Sequence, residues 1–426
     1  MKKFLLLFSV IGLISSTLAN DYKESSKAIR IYSINENTIS EIKSIENKET
    51  KIFILENSIT QEDFTTICSK MKWITKLKIE SNNTHIQDIT EIRSLKNLIS
   101  FEIQSLQSAL QKPIDAIIFE KNTNLQELLL YNTPITNTDA LKILTSLQKI
   151  SLSSCAVSSL AFLEFTTEVT ELNLDGNNHT FENYSALNTL QKLETLSIQT
   201  NSQATNENLG VLKNFSNLQS LNISGCEHIT SLAYLSNNKA LKDVTANNCI
   251  ELTNIQDLAA LPNLRNLSFE STPITNISSI SNKKKLRDVT ISKTKVTDIS
   301  PLATCTALSI LNISYTNITN IEALAQLEDL RKLDVSYTPI SSSAQITKIQ
   351  GLRYINISGT KITQFEGFEN NKDIEDILFS NTTISDISPL YALRKISYLQ
   401  IPSTISQTQI EAVKIRYQTI RIDIIE

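Results

Sequence analysis

The chain has 426 residues, a formal net charge of -4 and a mean hydropathy of -0.10. Only 7 residues are glycine, too few for the Gly-rich loops that cradle phosphates or dinucleotides, while a 41% hydrophobic content excludes a disordered polymer. The acidic balance argues against a nucleic-acid partner, whose binder is ordinarily basic.

Lys2 and Lys3 open the chain, Phe4 to Ile14 is apolar, and Thr17-Leu18-Ala19 offers small residues for cleavage before Asn20. The apolar run is far shorter than the roughly 20 residues that cross hydrocarbon. Residues 1–19 therefore read as a signal peptide, and the mature protein is expected to be secreted or periplasmic with no membrane span. Losing two lysines and no acid takes its charge from -4 to -6. No cysteine follows the cleavage region to carry a lipid, and the C-terminal segment shows neither an apolar tail nor a Leu-Pro-x-Thr-Gly sorting signal.

Residues 20–73 are expected to form an N-terminal cap. Ile29/Ile31 and Ile52/Ile54 would be the inward pairs of two degenerate units, followed by the apolar stretch Phe64 to Trp73. From Ile74 a Leu-x-x-Leu-x-Leu register starts fifteen units, the last seven of them, from Leu264 to Ile396, spaced 22 residues apart. Fourth positions (Leu77, Phe101, Leu128, Ile150 and onward to Leu399) and sixth positions (Ile79 to Ile401) are apolar throughout. Alternation predicts a short strand over the third to seventh residues of each unit, with the fourth and sixth side chains inward and the third, fifth and seventh outward. One such strand cannot bury its apolar face alone, so the units must stack and share a core. Ile318, Ile321, Leu324 and Leu327 fall three apart, which predicts a tight helical turn or an extended return along the opposite face.

Ninth positions hold Thr from Thr272 to Thr382, and Asn82, Thr133, Cys155, Asn177, Asn201, Cys226 and Cys249 earlier. Their side chains can satisfy backbone groups freed where the strands end. Leu106 breaks the column, in the longest unit, so an irregularity is expected over Leu106 to Lys121. After Pro402, residues 404–426 are expected to form a C-terminal cap: a short amphipathic helix over Ser406 to Arg416 burying Ile410, Val413 and Ile415, then a final edge strand over Ile420 to Ile424.

Val296-Thr-Asp-Ile-Ser-Pro-Leu302 and Ile384-Ser-Asp-Ile-Ser-Pro-Leu390, set in this register, resemble the short 22-residue leucine-rich repeats of bacterial internalins. The resemblance covers about Ile74 to Pro402. It implies an α/β leucine-rich repeat solenoid over residues 74–403, a curved right-handed β/3₁₀ superhelix with its parallel sheet on the concave face. It also implies a host-directed protein partner, a role in virulence and a bacterial source, to which the skewed Ile, Asn and Lys usage adds.

Five cysteines in an exported chain raise the question of disulfides. Cys155, Cys226 and Cys249 fall at ninth positions, and Cys68 and Cys305 at inward twentieth positions, so buried thiols are expected; Cys226 and Cys249 are the pair best placed to meet. His85, His179 and His228 lie in separate units and predict no metal site. Neither Gly-x-Ser-x-Gly nor His-Glu-x-x-His occurs, so no enzyme activity, catalytic residue or cofactor is expected.

Binding is the function the residues favour. The outward sheet positions carry Lys76, Lys78, Lys149 and Lys332 against Glu80, Glu102, Glu127, Glu171, Asp175, Asp243, Glu270, Asp288, Asp334 and Asp376. Seventh positions Ser292 to Ser380 would leave that face open. Tyr315 and Tyr337 occupy eighth positions of consecutive units, with Tyr354 and Tyr398 at third positions nearby. Tyrosine joins large buriable area to a polar tip. Tyr315, Tyr337, Tyr354 and Tyr398 with Asp334 are therefore the candidate partner-binding residues, in a chain expected to be monomeric. The competing reading is a self-associating structural component of the envelope or extracellular matrix.

Overall fold

The computed structural model describes residues 21–81, 83–105, 110, 112–177 and 184–425. Expectations for the signal segment, Asn82, Leu106 and His179 lie outside the described residues. The chain divides into two compact units, residues 1–201 and 202–426.

In the first unit an antiparallel hairpin pairs Tyr22–Glu24 with Ala28–Ile31. The ladder then runs parallel through Ile52–Leu55, Lys76–Ile79, Ser100–Gln104, Glu127–Tyr131, Lys149–Ser153, Glu171–Asn173 and Thr195–Ser197. Two α-helices lie between the first strands. Helix α1 (Glu36–Ser44) is capped by Asn35, whose side chain accepts from the amides of Asn37 and Thr38; α2 (Gln61–Lys70) starts in a Thr60/Asp63 capping box.

Ile52-Phe53-Ile54-Leu55 corrects the expected parity. Phe53 pairs with Leu77 and Leu55 with Ile79, so Phe53 and Leu55 are the inward pair, while Ile52 is 39% exposed. Four apolar residues in a row carry no period-2 signal, and the neighbouring strand sets the register. Within the expected irregular stretch, Ile114–Asp115 pairs with Ile135–Thr136 in a separate two-stranded sheet, and Ala116–Phe119 is a 3₁₀ turn.

The second unit is a parallel ladder from Ser220–Asn222 to Tyr398–Pro402, one strand per repeat, closed by Arg421–Ile425. Its strands before the last repeat are shorter than expected: Lys332–Asp334 spans only the third to fifth positions, whereas Tyr398–Pro402 reaches the seventh. Fourth and sixth residues form the core, with Leu311 at 1% exposure and Ile313, Leu333 and Val335 at 0%. Burying each such side chain contributes about 1.5–3 kcal/mol.

The return segments are 3₁₀ turns such as Ser300–Thr304, Glu322–Gln326 and Ser388–Ala392. A side chain two residues ahead opens each one: Asp298 accepts from the Ser300 amide at 2.8 Å, Asn320 from Glu322 at 2.8 Å and Asp386 from Ser388 at 2.8 Å. This is the physical content of the Thr-Asp-Ile-Ser-Pro-Leu segments. Those bonds hold the Asp298 and Asp386 carboxyls below the usual carboxylate range.

After the last repeat, α3 (Gln407–Arg416) is capped by Ser406 and buries Ile410 and Val413. Ile415 is instead 79% exposed, because at 100° per residue it lies far around the helix from the face its neighbours share. The Tyr417 hydroxyl donates to the carbonyls of Leu390 at 2.9 Å and Leu393 at 2.7 Å, tying the helix end to the repeat before it.

Candidate binding surface

Between the end of each strand and the return segment, the backbone makes a left-handed turn at the eighth position. Positive φ recurs there in every repeat from Ser105 (59°) through Asn248 (58°) and Lys293 (55°) to Asn381 (53°), with glycine only at Gly176, Gly225 and Gly359. Tyr315 (56°) and Tyr337 (55°) adopt it too. For a bulky side chain this conformation costs about 1–2 kcal/mol, since Cβ crowds the carbonyl.

The two rings stack with centroids 4.4 Å apart and planes 12° from parallel, and stay 50% and 41% exposed. Lys293 lies over Tyr315 at 5.9 Å from the ring centroid and is held by Glu270 at 2.8 Å. Beyond Tyr337 comes Gly359, where a Cβ would meet the Tyr337 ring at 2.5 Å. Next, the Asn381 amide donates to the Tyr337 hydroxyl at 2.8 Å. Lys293, Tyr315, Tyr337, Gly359 and Asn381, all at eighth positions, thus form one column, with Glu270 of the preceding repeat's seventh position holding Lys293. Only the tyrosines were singled out from sequence as partner-binding residues; Lys293, Gly359 and Asn381 were legible in principle, by reading the eighth position downward.

Burial first, then the neighbouring Tyr337, raises the Tyr315 hydroxyl, with a smaller contribution from Asp334, which also lies within electrostatic reach of Tyr354. Burial first, then Asp334 and Asp376, pushes Tyr354 up to about 12. Asp334 is also structural: one oxygen accepts from the Ser336 amide at 2.8 Å and hydroxyl at 2.6 Å, the other from Asn356 at 3.1 Å. Tyr398 is engaged differently. Its hydroxyl donates to Asp423 at 2.9 Å under the Arg421 guanidinium, which stands 5.3 Å from the ring, so it serves the contact with the final strand.

Two expectations about the face are corrected. Ser292, Ser314, Ser336, Ser358 and Ser380 are 2–6% exposed and so leave little open surface: Ser336 donates to Asp334 at 2.6 Å, Ser380 to Ser358 at 3.1 Å, and Ser380 accepts from Gln400 at 2.8 Å. Some of the acids counted as surface are spoken for: Asp175 accepts from Ser197 at 2.6 Å and the Gln199 amide at 2.7 Å, and Glu171 pairs with Lys149 at 2.7 Å.

Among solved structures, an internalin (inlF) of Listeria monocytogenes is similar at TM-score 0.59 and 19% identity, covering 85% of this chain and 93% of its own. A Leptospira interrogans leucine-rich repeat protein reaches TM-score 0.57 at 15% identity, covering 92% of this chain and 93% of its own. The fold is the internalin-like leucine-rich repeat. A plant peptide hormone receptor, RGFR1 in complex with RGF2, shares it at TM-score 0.54 and 15% identity, over 95% of this chain and 71% of the receptor. No family model matches the chain, and no curated protein matches it by sequence.

The leucine-rich repeat core explains the ninth position. Asn177 bridges two repeats: its amide donates to the carbonyls of Leu152 at 2.7 Å and Leu174 at 2.8 Å, and its oxygen accepts from the amides of Cys155 and Val157. Thr316 and Thr360 bond within their own repeat, to the carbonyls of Ile313 at 2.6 Å and Ile357 at 2.7 Å. All five cysteines are free, buried thiols; burial pushes Cys68 and Cys155 up to about 12. A second column of buried amides went unnoticed in the sequence. Asn122, Asn238 and Asn371, three residues before the next unit, donate to carbonyls of the preceding repeat at 2.8 Å.

His228 is exposed and stands 3.7 Å from Glu251. Among the described residues no three His, Cys, Asp or Glu converge to hold a metal ion, and no helix is long and apolar enough to cross a membrane.

Proposed function

We propose that this chain is an exported, non-enzymatic leucine-rich repeat protein that binds a protein partner through the surface around Tyr315, Tyr337, Tyr354 and Asp334. The observation that carries the reading is that two consecutive, stacked tyrosines occupy left-handed positions that glycine, asparagine, serine, threonine and lysine fill in other repeats. Stacked and exposed, they present a flat aromatic area with hydroxyl edges, the composition of an interface anchor. Strained backbone around exposed aromatic side chains is where function, rather than stability, selects the residue. The plant receptor's complex with RGF2 supports binding on this fold. The N-terminal targeting pattern supports export, and the internalin likeness supports a host-directed partner.

The test replaces both tyrosines by asparagine, which tolerates positive φ. Relief of strain and loss of stacking nearly cancel, so the melting temperature should change little, by under about 1 kcal/mol in stability. Affinity for a partner captured with residues 20–426 should fall at least tenfold by surface plasmon resonance; unchanged affinity in a folded double variant would remove this surface from the binding site.

Self-association remains the competing reading, favoured by the exposed Ile424 (52%), Ile425 (39%) and Ile415 at the C-terminal end. Size-exclusion with light scattering separates the two: a monomer at working concentration leaves the partner-binding reading, and concentration-dependent growth supports assembly.

A further inference from the structure

The net charge of -4 averages over an uneven distribution. In the unit of residues 202–426, the segments entering successive strands lie side by side. Segments 236–242, 259–265, 281–287 and 304–309 contain no aspartate, no glutamate and no aromatic residue. They do contain Lys239, Lys242, Arg265, Lys284, Lys285 and Arg287, besides the buried Lys283.

Backbone bonds align the rows: the Arg265 amide donates to the Lys242 carbonyl at 2.7 Å, and the Arg287 amide to the Arg265 carbonyl at 2.7 Å. Rungs of a sheet are about 4.8 Å apart, so cations on successive rungs form a continuous strip. Five of the six are exposed and Lys242 is half-buried. None forms an ion pair among the described residues; Lys239 donates to the Ala260 carbonyl at 2.9 Å, Lys242 to Gln219 at 2.6 Å, Lys284 to the Thr304 carbonyl at 2.9 Å and Lys285 to Asn263 at 2.6 Å. The closest carboxylates in sequence, Asp243 and Asp288, stand one residue further on, and Arg287 acts on Asp288. Elsewhere lysines sit on carboxylates, as Lys348 does on Glu322 at 2.6 Å and Lys395 on Asp373 at 2.6 Å.

Six cations that form no ion pair among the described residues, on a protein of negative net charge, form a local site for a polyanion. A folded protein partner would call for aromatic or large apolar anchors, and single-stranded nucleic acid for stacking platforms; the strip has neither. We propose that it binds a linear anionic polysaccharide whose carboxylate or sulfate groups lie across the strands at Lys242, Arg265 and Arg287, with Lys239, Lys284 and Lys285 alongside.

Heparin is the sulfated probe, measured on the full chain by surface plasmon resonance across a salt series, with single-stranded RNA and anionic phosphatidylserine vesicles as parallel arms. Binding should be retained at physiological salt. Arg265→Gln/Lys285→Gln/Arg287→Gln should weaken it about a hundredfold and reduce the slope of log affinity against log salt by roughly 0.9 per cation removed. Lys96→Gln/Lys121→Gln/Lys142→Gln makes the same change in net charge at exposed lysines of the other unit and should leave heparin binding intact. Equal losses in the two triple variants would overturn the proposal, as would an unretained parent protein or tighter binding of RNA or vesicles than of heparin. Melting curves of both variants establish that any loss occurs in folded protein.

Discussion

Asparagine and threonine at the ninth position do different work. Asn177 joins carbonyls of two repeats and accepts two amides, whereas Thr338 satisfies only the Val335 carbonyl at 2.5 Å. Truncating the first leaves several buried backbone groups unmet; truncating the second leaves one. Asn177→Ala should therefore cost about 2–4 kcal/mol and Thr338→Ala about 1 kcal/mol, read from denaturant titrations. Equal costs would mean that the bridge between repeats adds nothing. Residue type and register together were enough to place these side chains against the backbone from sequence. Which carbonyl each one reaches depends on side-chain length and on the stacking distance.

At the scale of the element, each repeat is a strand, a left-handed turn and a 3₁₀ return. The turn explains the scarcity of glycine: Asn, Ser, Thr, Lys and Tyr occupy positive φ where glycine would be easiest, and the stack enforces the conformation. The residue three before each new unit is a second control point. Where Asn238 and Asn371 stand in other repeats, Lys283 sends its buried ammonium to the carbonyls of Ala259 at 2.7 Å and Leu261 at 2.8 Å. Burial lowers its pKa below the ordinary 10.5. The unfolded chain then holds more protons between the folded and unfolded values, so this lysine makes stability rise with pH through the window just below 10.5. Lys283→Asn should abolish that rise. The melting-temperature difference, parent minus variant, should grow between about pH 8 and pH 11; a flat difference would mean that the ammonium is not desolvated. Periodicity could not reveal this lysine as buried, because a long polar side chain in a charged Lys-Lys-Lys run reads as solvated until its carbonyl partners are in place.

The molecule's contacts run from repeat to repeat, so its stability is a sum over neighbours. Excising residues 286–307 removes one 22-residue repeat and joins equivalent positions of its neighbours. That chain should fold, with an unchanged far-UV circular dichroism profile and a melting point lower by a few degrees. Excising 286–306 instead offsets every following side chain by one, turning inward residues outward, and should give an unfolded or aggregated chain. Charge also needs the whole molecule to be read. A net value of -4 argued against a nucleic-acid partner and gave no sign of a basic surface, yet stacking lines up the entry segments of three repeats into a strip of cations.

Repeat length, inward positions and the tyrosine pair were readable along the chain, because each is local to one unit of a repeating register, whereas the spacing of apolar residues left the returns as either a tight helical turn or an extended segment. The parity of Ile52 to Leu55, the burial of the seventh-position serines, the exposure of Ile415 and the cation strip were settled only by packing. Each depends on what a neighbouring segment places alongside, and a linear pattern carries no information about the contents of the adjacent rung.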